Sequence, residues 1–156
     1  IGNFDPDEAR RLLQRMAVCL DGGGLLIGVD LVKDPAELHA AYNDKQGVTA
    51  AFNLNLLARA NRELGADFDL DGFAHYAFYD PRLQRIEMHL VSRRRQTVRL
   101  CGEAIMFAEG DTLHTENSYK YTVEGFEHLV RSAGFEPQAV WTDGARRFAM
   151  HWLARG

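Results

Sequence analysis

At 156 residues, 46% hydrophobic and 26% charged, the chain is long enough for one ordinary domain and has the balance of a globular protein with a real core. A net charge of −4 with one basic run, Arg93-Arg94-Arg95, argues against the clustered cationic face of a nucleic-acid binder. No apolar run approaches membrane-spanning length, so neither nucleic acid nor membrane is an expected partner.

The opening residues Ile1 to Pro6 show no secretory pattern and no initiator Met, so the chain is expected to begin inside a longer one. Asp5-Pro6-Asp7-Glu8 is a helix start, with a capping Asp, Pro at the first helical position and Glu at the third. Ala9, Leu12, Leu13, Met16, Ala17 and Leu20 follow at helical spacing, and Asp21-Gly22-Gly23 stops the run. Gly24 to Leu31 is apolar on both faces until Asp30, as a central strand of a parallel sheet should be. Asp34-Pro35 opens a short helix through Ala41, and a longer helix is predicted over Val48 to Leu64, ending at Gly65.

Strand character follows at Phe73–Tyr79, Arg85–Ser92, Thr97–Leu100, Glu103–Phe107 and Thr112–Tyr121, with a hairpin turn at Asp80-Pro81. Thr122 caps a helix carrying Phe126, Leu129, Val130 and Ala133, closed by Gly134. Phe135–Thr142 and Arg147–Leu153 then read as two strands joined by Asp143-Gly144-Ala145. The class is α/β: residues 1–32 and 121–156 supply part of one sheet, and residues 33–120 form an inserted α+β module. No glycine-rich turn follows a strand and opens a helix, because Gly22-Gly23-Gly24 precedes its strand. The first half of the sheet is therefore expected elsewhere.

Several residues offer chemistry. Glu116 and Ser118 share a face if their segment is a strand, and a carboxylate beside a hydroxyl suits an imidazole, with its one donor and one acceptor nitrogen. The plainer reading is a solvated edge strand. Asn3 stands before a helix start, where a strand of the absent half should end and ligands gather; the plainer reading is a turn residue. Tyr42 ends a short helix and could bond a carboxylate or simply pack, and Met88 alternates like a core residue. Cys19 and Cys101 lack CxxC or histidine-spaced partners and read as buried small residues in a reducing compartment, the cytoplasm. His75, His89, His114 and His151 stand far apart without ligand spacing, so no metal site is expected.

Seven strings in order resemble one family. They are Ile1-Gly2-Asn3-Phe4; Gly28 to Asp34; Ala41-Tyr42-Asn43-Asp44 through Gly47 to Asn53; Arg62 to Asp69; Arg85-Ile86-Glu87-Met88; Thr115 to Lys120; and Trp141-Thr142-Asp143. Together they are similar to the histidine-specific, S-adenosylmethionine-dependent Nα-methyltransferases of ergothioneine biosynthesis. The resemblance implies the second half of a Rossmann-like methyltransferase sheet with an inserted substrate-binding module. It implies that L-histidine is methylated on its α-amino group to trimethylhistidine, and that the main S-adenosylmethionine motif belongs to a missing amino-terminal half. By the same resemblance Glu116 and Ser118 grip the imidazole, Asn3 and Tyr42 hold the amino and carboxylate groups, and Met88 lines the pocket. Two other readings stay open: a methyltransferase of this fold for another amino acid or amine, and a stand-alone ligand-binding module.

Overall fold

A computed structural model of the chain describes residues 1–20 and 22–156; Asp21, expected to help stop the first helix, lies outside the described residues. The fold is mixed α/β. In chain order it runs α1 (Pro6–Cys19), β1 (Gly24–Asp30), α2 (Pro35–Tyr42), α3 (Val48–Leu64), β2 (Phe73–Asp80), β3 (Arg85–Ser92), β4 (Gln96–Leu100), β5 (Glu103–Phe107), β6 (Thr112–Tyr119), α4 (Val123–Ser132), β7 (Phe135–Thr142) and β8 (Phe148–Arg155). Contacts divide the chain into two compact units, one of residues 1–34, 80–86 and 117–156, the other of residues 35–79 and 87–116.

In the first unit, α1 begins as its sequence predicts. The Asp5 backbone N–H donates to the Glu8 carboxylate at 3.2 Å, closing a capping box, and Pro6 occupies the first turn. The spacing Ala9, Leu13, Ala17 puts three buried residues on one face. Helix α4 is capped by Thr122, whose Oγ1 accepts from the Gly125 N–H at 2.9 Å, and it buries Phe126 and Val130. These helices meet Val29, Phe135, Ala149 and Leu153 in one apolar cluster.

The sheet of this unit has the order β1-β8-β7, antiparallel throughout, with Gly24 opposite Ala154 and Asp30 opposite Phe148. The neighbour of β1 within this chain, β8, runs antiparallel to it, where the apolar run suggested a parallel one. An apolar run specifies a strand without specifying its neighbours. Past Asp30 a single parallel bridge joins Leu31 to Tyr121. Two glycines of β1 answer to bulky residues of β8: a Cβ on Gly24 would fall 2.5 Å from the Trp152 ring, and one on Gly28 2.5 Å from the Phe148 ring.

His151, on β8, is fully buried against the Phe126 ring at 4.8 Å, and neither ring nitrogen has a partner among the described residues. Burial holds its pKa below the ordinary histidine value, only partly opposed by the Glu127 charge. The unfolded chain therefore binds this proton more readily than the folded one. The stability involved is present above the unfolded histidine value, about 6.5, and is lost as pH falls below it. Urea unfolding at pH 7.5 and 5.5 should show a smaller acid loss for His151→Leu than for the parent; equal losses would clear His151 of the effect.

The second unit contains α2, α3, the β4-β5 hairpin and most of the strands of a sheet ordered β2-β3-β6, whose residues 80, 85–86 and 117–119 are counted with the first unit. Its core is Leu57, Phe68, Phe73, Leu90, Val98 and Phe107, with the three phenylalanine rings 5.3, 5.8 and 6.4 Å apart in tilted and edge-on contacts. Gly65 ends α3 in the left-handed region at φ 64°. The two-residue β4-β5 turn is Cys101-Gly102, at φ 52° and 86°. Both cysteines are exposed, which corrects the expectation that they are buried. Cys101 sits at a hairpin tip, and Cys19 ends α1 two residues past the last buried position, Ala17.

Candidate functional site

Strand β6 carries the two residues whose spacing suggested imidazole recognition. Glu116 is half-buried, and its carboxylate has no hydrogen-bond or ion-pair partner among the described residues; only its backbone oxygen is engaged, by His114 Nε2 at 3.2 Å. A half-buried carboxylate left without a donor is an acceptor held ready. Two positions on, Ser118 is buried, and its Oγ accepts from Lys120 Nζ at 2.8 Å. Pleating puts both side chains on one face of β6.

Lys120 is fully buried, and its ammonium also pairs with Asp30 Oδ2 at 2.8 Å. Lys33 reaches the other oxygen of Asp30 at 2.5 Å. Burial alone would raise the Asp30 pKa, but the two lysines outweigh it and hold the group below its ordinary value. The network ties Ser118 to the carboxyl end of β1. Lys120, Asp30 and Lys33 were missed by sequence reasoning; the available signal was a lysine between two tyrosines, following a strand that ends in Asp.

Asn3 is exposed in a turn closed by the Phe4 N–H donating to the Ile1 oxygen at 3.2 Å. The Tyr119 N–H donates to the Gly2 oxygen at 2.7 Å, so this turn lies against the end of β6 that carries Ser118. Tyr119 is itself held by two bonds at 2.7 Å: its hydroxyl donates to Asp5 and accepts from Arg85. Neighbouring Tyr121 is pushed up to about 12, chiefly by burial. Asn117 Oδ1, between Glu116 and Ser118, is buried without a partner among the described residues.

Tyr42 and Met88 belong to the second unit. Tyr42 is the half-buried last residue of α2, and its carbonyl accepts from His75 Nε2 at 2.8 Å. That tautomer leaves His75 Nδ1 to accept from Asn53 Nδ2 at 3.0 Å, and the same amide reaches the His89 oxygen at 3.1 Å. Asn43 exchanges bonds with the Ala77 backbone at 3.0 and 3.3 Å, seating the end of α2 on β2. Asp44 accepts from the Val48 and Thr49 N–H groups, which start α3, and these bonds bring its pKa down to about 2. Ala41 to Asp44 is thus a rigid corner that fixes where Tyr42 stands. Met88 is buried between Ile86 and Leu90 on β3, with Thr115 Oγ1 donating to its carbonyl at 3.0 Å.

The histidines depart from expectation. His89 and His114, far apart in sequence, stack with ring centroids 4.6 Å apart and planes at 13°. Glu87 joins them, its Oε2 lying 3.1 Å from His89 Nε2 and 3.9 Å from His114 Nε2. This corrects the inference from linear spacing: strand pairing gathered what the sequence kept 25 positions apart. Among the described elements, no glycine-rich turn links a strand to a following helix.

The family described as histidine-specific, S-adenosylmethionine-dependent methyltransferase matches residues 1–155. The chain is 43% identical to a histidine N-alpha-methyltransferase of Mycolicibacterium smegmatis, over 99% of this chain and 49% of that protein. It is 34% identical to ergothioneine biosynthesis protein 1 of Neurospora crassa, over 99% of this chain and 18% of that one. A third relative, N-methyltransferase fsqC of Aspergillus fumigatus, is 26% identical over 99% of this chain and 43% of its own length. The chain therefore spans about half the length of its mycobacterial-type relative or less of the others.

Proposed function

Since the chain belongs to the histidine-specific, S-adenosylmethionine-dependent methyltransferase family, we propose that it is the part of such an enzyme that reads L-histidine for methylation of the α-amino group to trimethylhistidine. The observation that supports this most is the unpartnered Glu116 carboxylate, two residues from a Ser118 hydroxyl anchored by a buried lysine. In this reading the carboxylate accepts the imidazole N–H and the hydroxyl serves the other ring nitrogen. Asn3 and Tyr42 hold the α-amino and carboxylate groups, and Met88 closes the apolar side. Residues 33–120 act as the inserted substrate-binding module, with residues 1–32 and 121–156 completing the sheet domain.

An amino acid's amine is mostly protonated at pH 7 and attacks only as the neutral form, so the site must favour its deprotonation and aim it. Fixing the imidazole and carboxylate at once leaves the nitrogen as the movable end, which can be presented again after each transfer. S-adenosylmethionine, held chiefly by an amino-terminal half that is this chain's partner, supplies the methyl group. Two exposed cysteines without a disulfide fit a reducing compartment, the cytoplasm. No helix is long and apolar enough to cross a membrane.

The A. fumigatus relative keeps a second reading in view, an N-methyltransferase of this fold with another amine as substrate. A methyl-transfer assay of the complete enzyme across the amino acids separates the two. Histidine is expected to be the preferred acceptor, with product mass rising by three methyl groups. Preference for another amine would replace histidine in this proposal.

A further inference from the structure

Glu87 and His89 sit two apart on β3, so they share a face, and His114 stands on β6, the neighbouring strand of the sheet. One ligand atom from each lies within 4.8 Å of the other two. Tetrahedral zinc with bonds of about 2.0–2.1 Å separates its ligand atoms by roughly 3.3 Å, so modest side-chain rotation closes this group around an ion. The Phe78 ring stacks on His89 at 5.6 Å and 17°, which sets the plane of that imidazole. His89 and Glu87 side chains are each 13% exposed, whereas His114 is 39% exposed, leaving an approach from solvent. Of the candidate histidine-binding residues, Glu116 touches the cluster through its backbone oxygen, bonded to His114 Nε2 at 3.2 Å, while its carboxylate takes no part.

We infer that Glu87, His89 and His114 form a binding site for a late first-row divalent cation, with Zn2+ the representative ion. Two imidazole nitrogens and one carboxylate oxygen favour zinc, nickel or copper over the hard, all-oxygen ions magnesium and calcium. The Nε2 atoms now face Glu87 Oε2 and, for His114, the Glu116 carbonyl at 3.2 Å. Ligation needs the tautomers protonated on Nδ1, and His89 Nδ1 is buried without an acceptor among the described residues. That unpaired proton weakens binding, so affinity is expected in the micromolar range.

The test uses tag-free protein, Zn2+ in competition with a chromophoric chelator, and Co2+ as a spectroscopic probe. One Zn2+ per chain is expected, with Glu87→Gln, His89→Gln and His114→Gln each weakening binding by about 10-fold or more. Bound Co2+ should show visible absorption that these variants lose. His128→Gln, an exposed histidine on α4, should leave both readouts unchanged. Equal Zn2+ affinity in the parent and His114→Gln would overturn the site, as would a loss at His128→Gln as large as at His114→Gln. His114 is the most exposed ligand, so its variant decides the matter even if His89→Gln folds poorly.

Discussion

Replacing Glu116 with alanine in the complete enzyme is expected to weaken histidine binding by about 30- to 100-fold, with less than about a 3-fold change for the cofactor. That range corresponds to about 2–3 kcal/mol, the usual size of a hydrogen bond to a charged group in a site shut off from water. The loss should fall on histidine because its ring N–H is then left without an acceptor, a larger penalty than a missing methylene. Calorimetry with histidine and, separately, S-adenosylhomocysteine gives both numbers. Unchanged histidine affinity would remove Glu116 from the site and with it the imidazole reading. Equal losses for both ligands would point to damage to the fold.

The second large effect is expected at Lys120. Truncation to alanine strips Ser118 Oγ and Asp30 of a shared ammonium and opens a void where a fully buried side chain stood. Removing one partner of a buried pair commonly costs about 3–5 kcal/mol; here Asp30 keeps Lys33 and is partly exposed, so about 2–3 kcal/mol is expected. Lys120→Met, which refills the space without the charge, should lose less than the alanine variant. Urea midpoints of the three proteins measure this. An alanine variant as stable as the parent would show that the Lys120 ammonium stands in water.

What was legible in the residues was mostly local. Asp5-Pro6 and Glu8 fixed the start of α1, Gly65 the end of α3, and Thr122 the start of α4, because caps act over three or four neighbouring positions. Alternation gave β3 to the residue, since Ile86, Met88, Leu90 and Ser92 are all buried. Period tells which way a side chain faces but not which strand lies beside it. For that reason the antiparallel pairing of β1 with β8 and the meeting of His89 with His114 went unseen. The lysine behind Ser118 was hidden for a related reason: a buried ammonium is rare, and its carboxylate partner is 90 positions away in the chain.

The way the backbone passes between the two units has a consequence for recombining such enzymes. The covalent path changes unit after Asp34, Tyr79, Ile86 and Glu116, and the last of these changes falls inside β6, between the two residues proposed to read the ring. A chimera that transplants residues 35–79 alone inherits Tyr42 while keeping its host's Glu116 and Ser118. Moving Tyr42, Glu116 and Ser118 together therefore takes more than one splice.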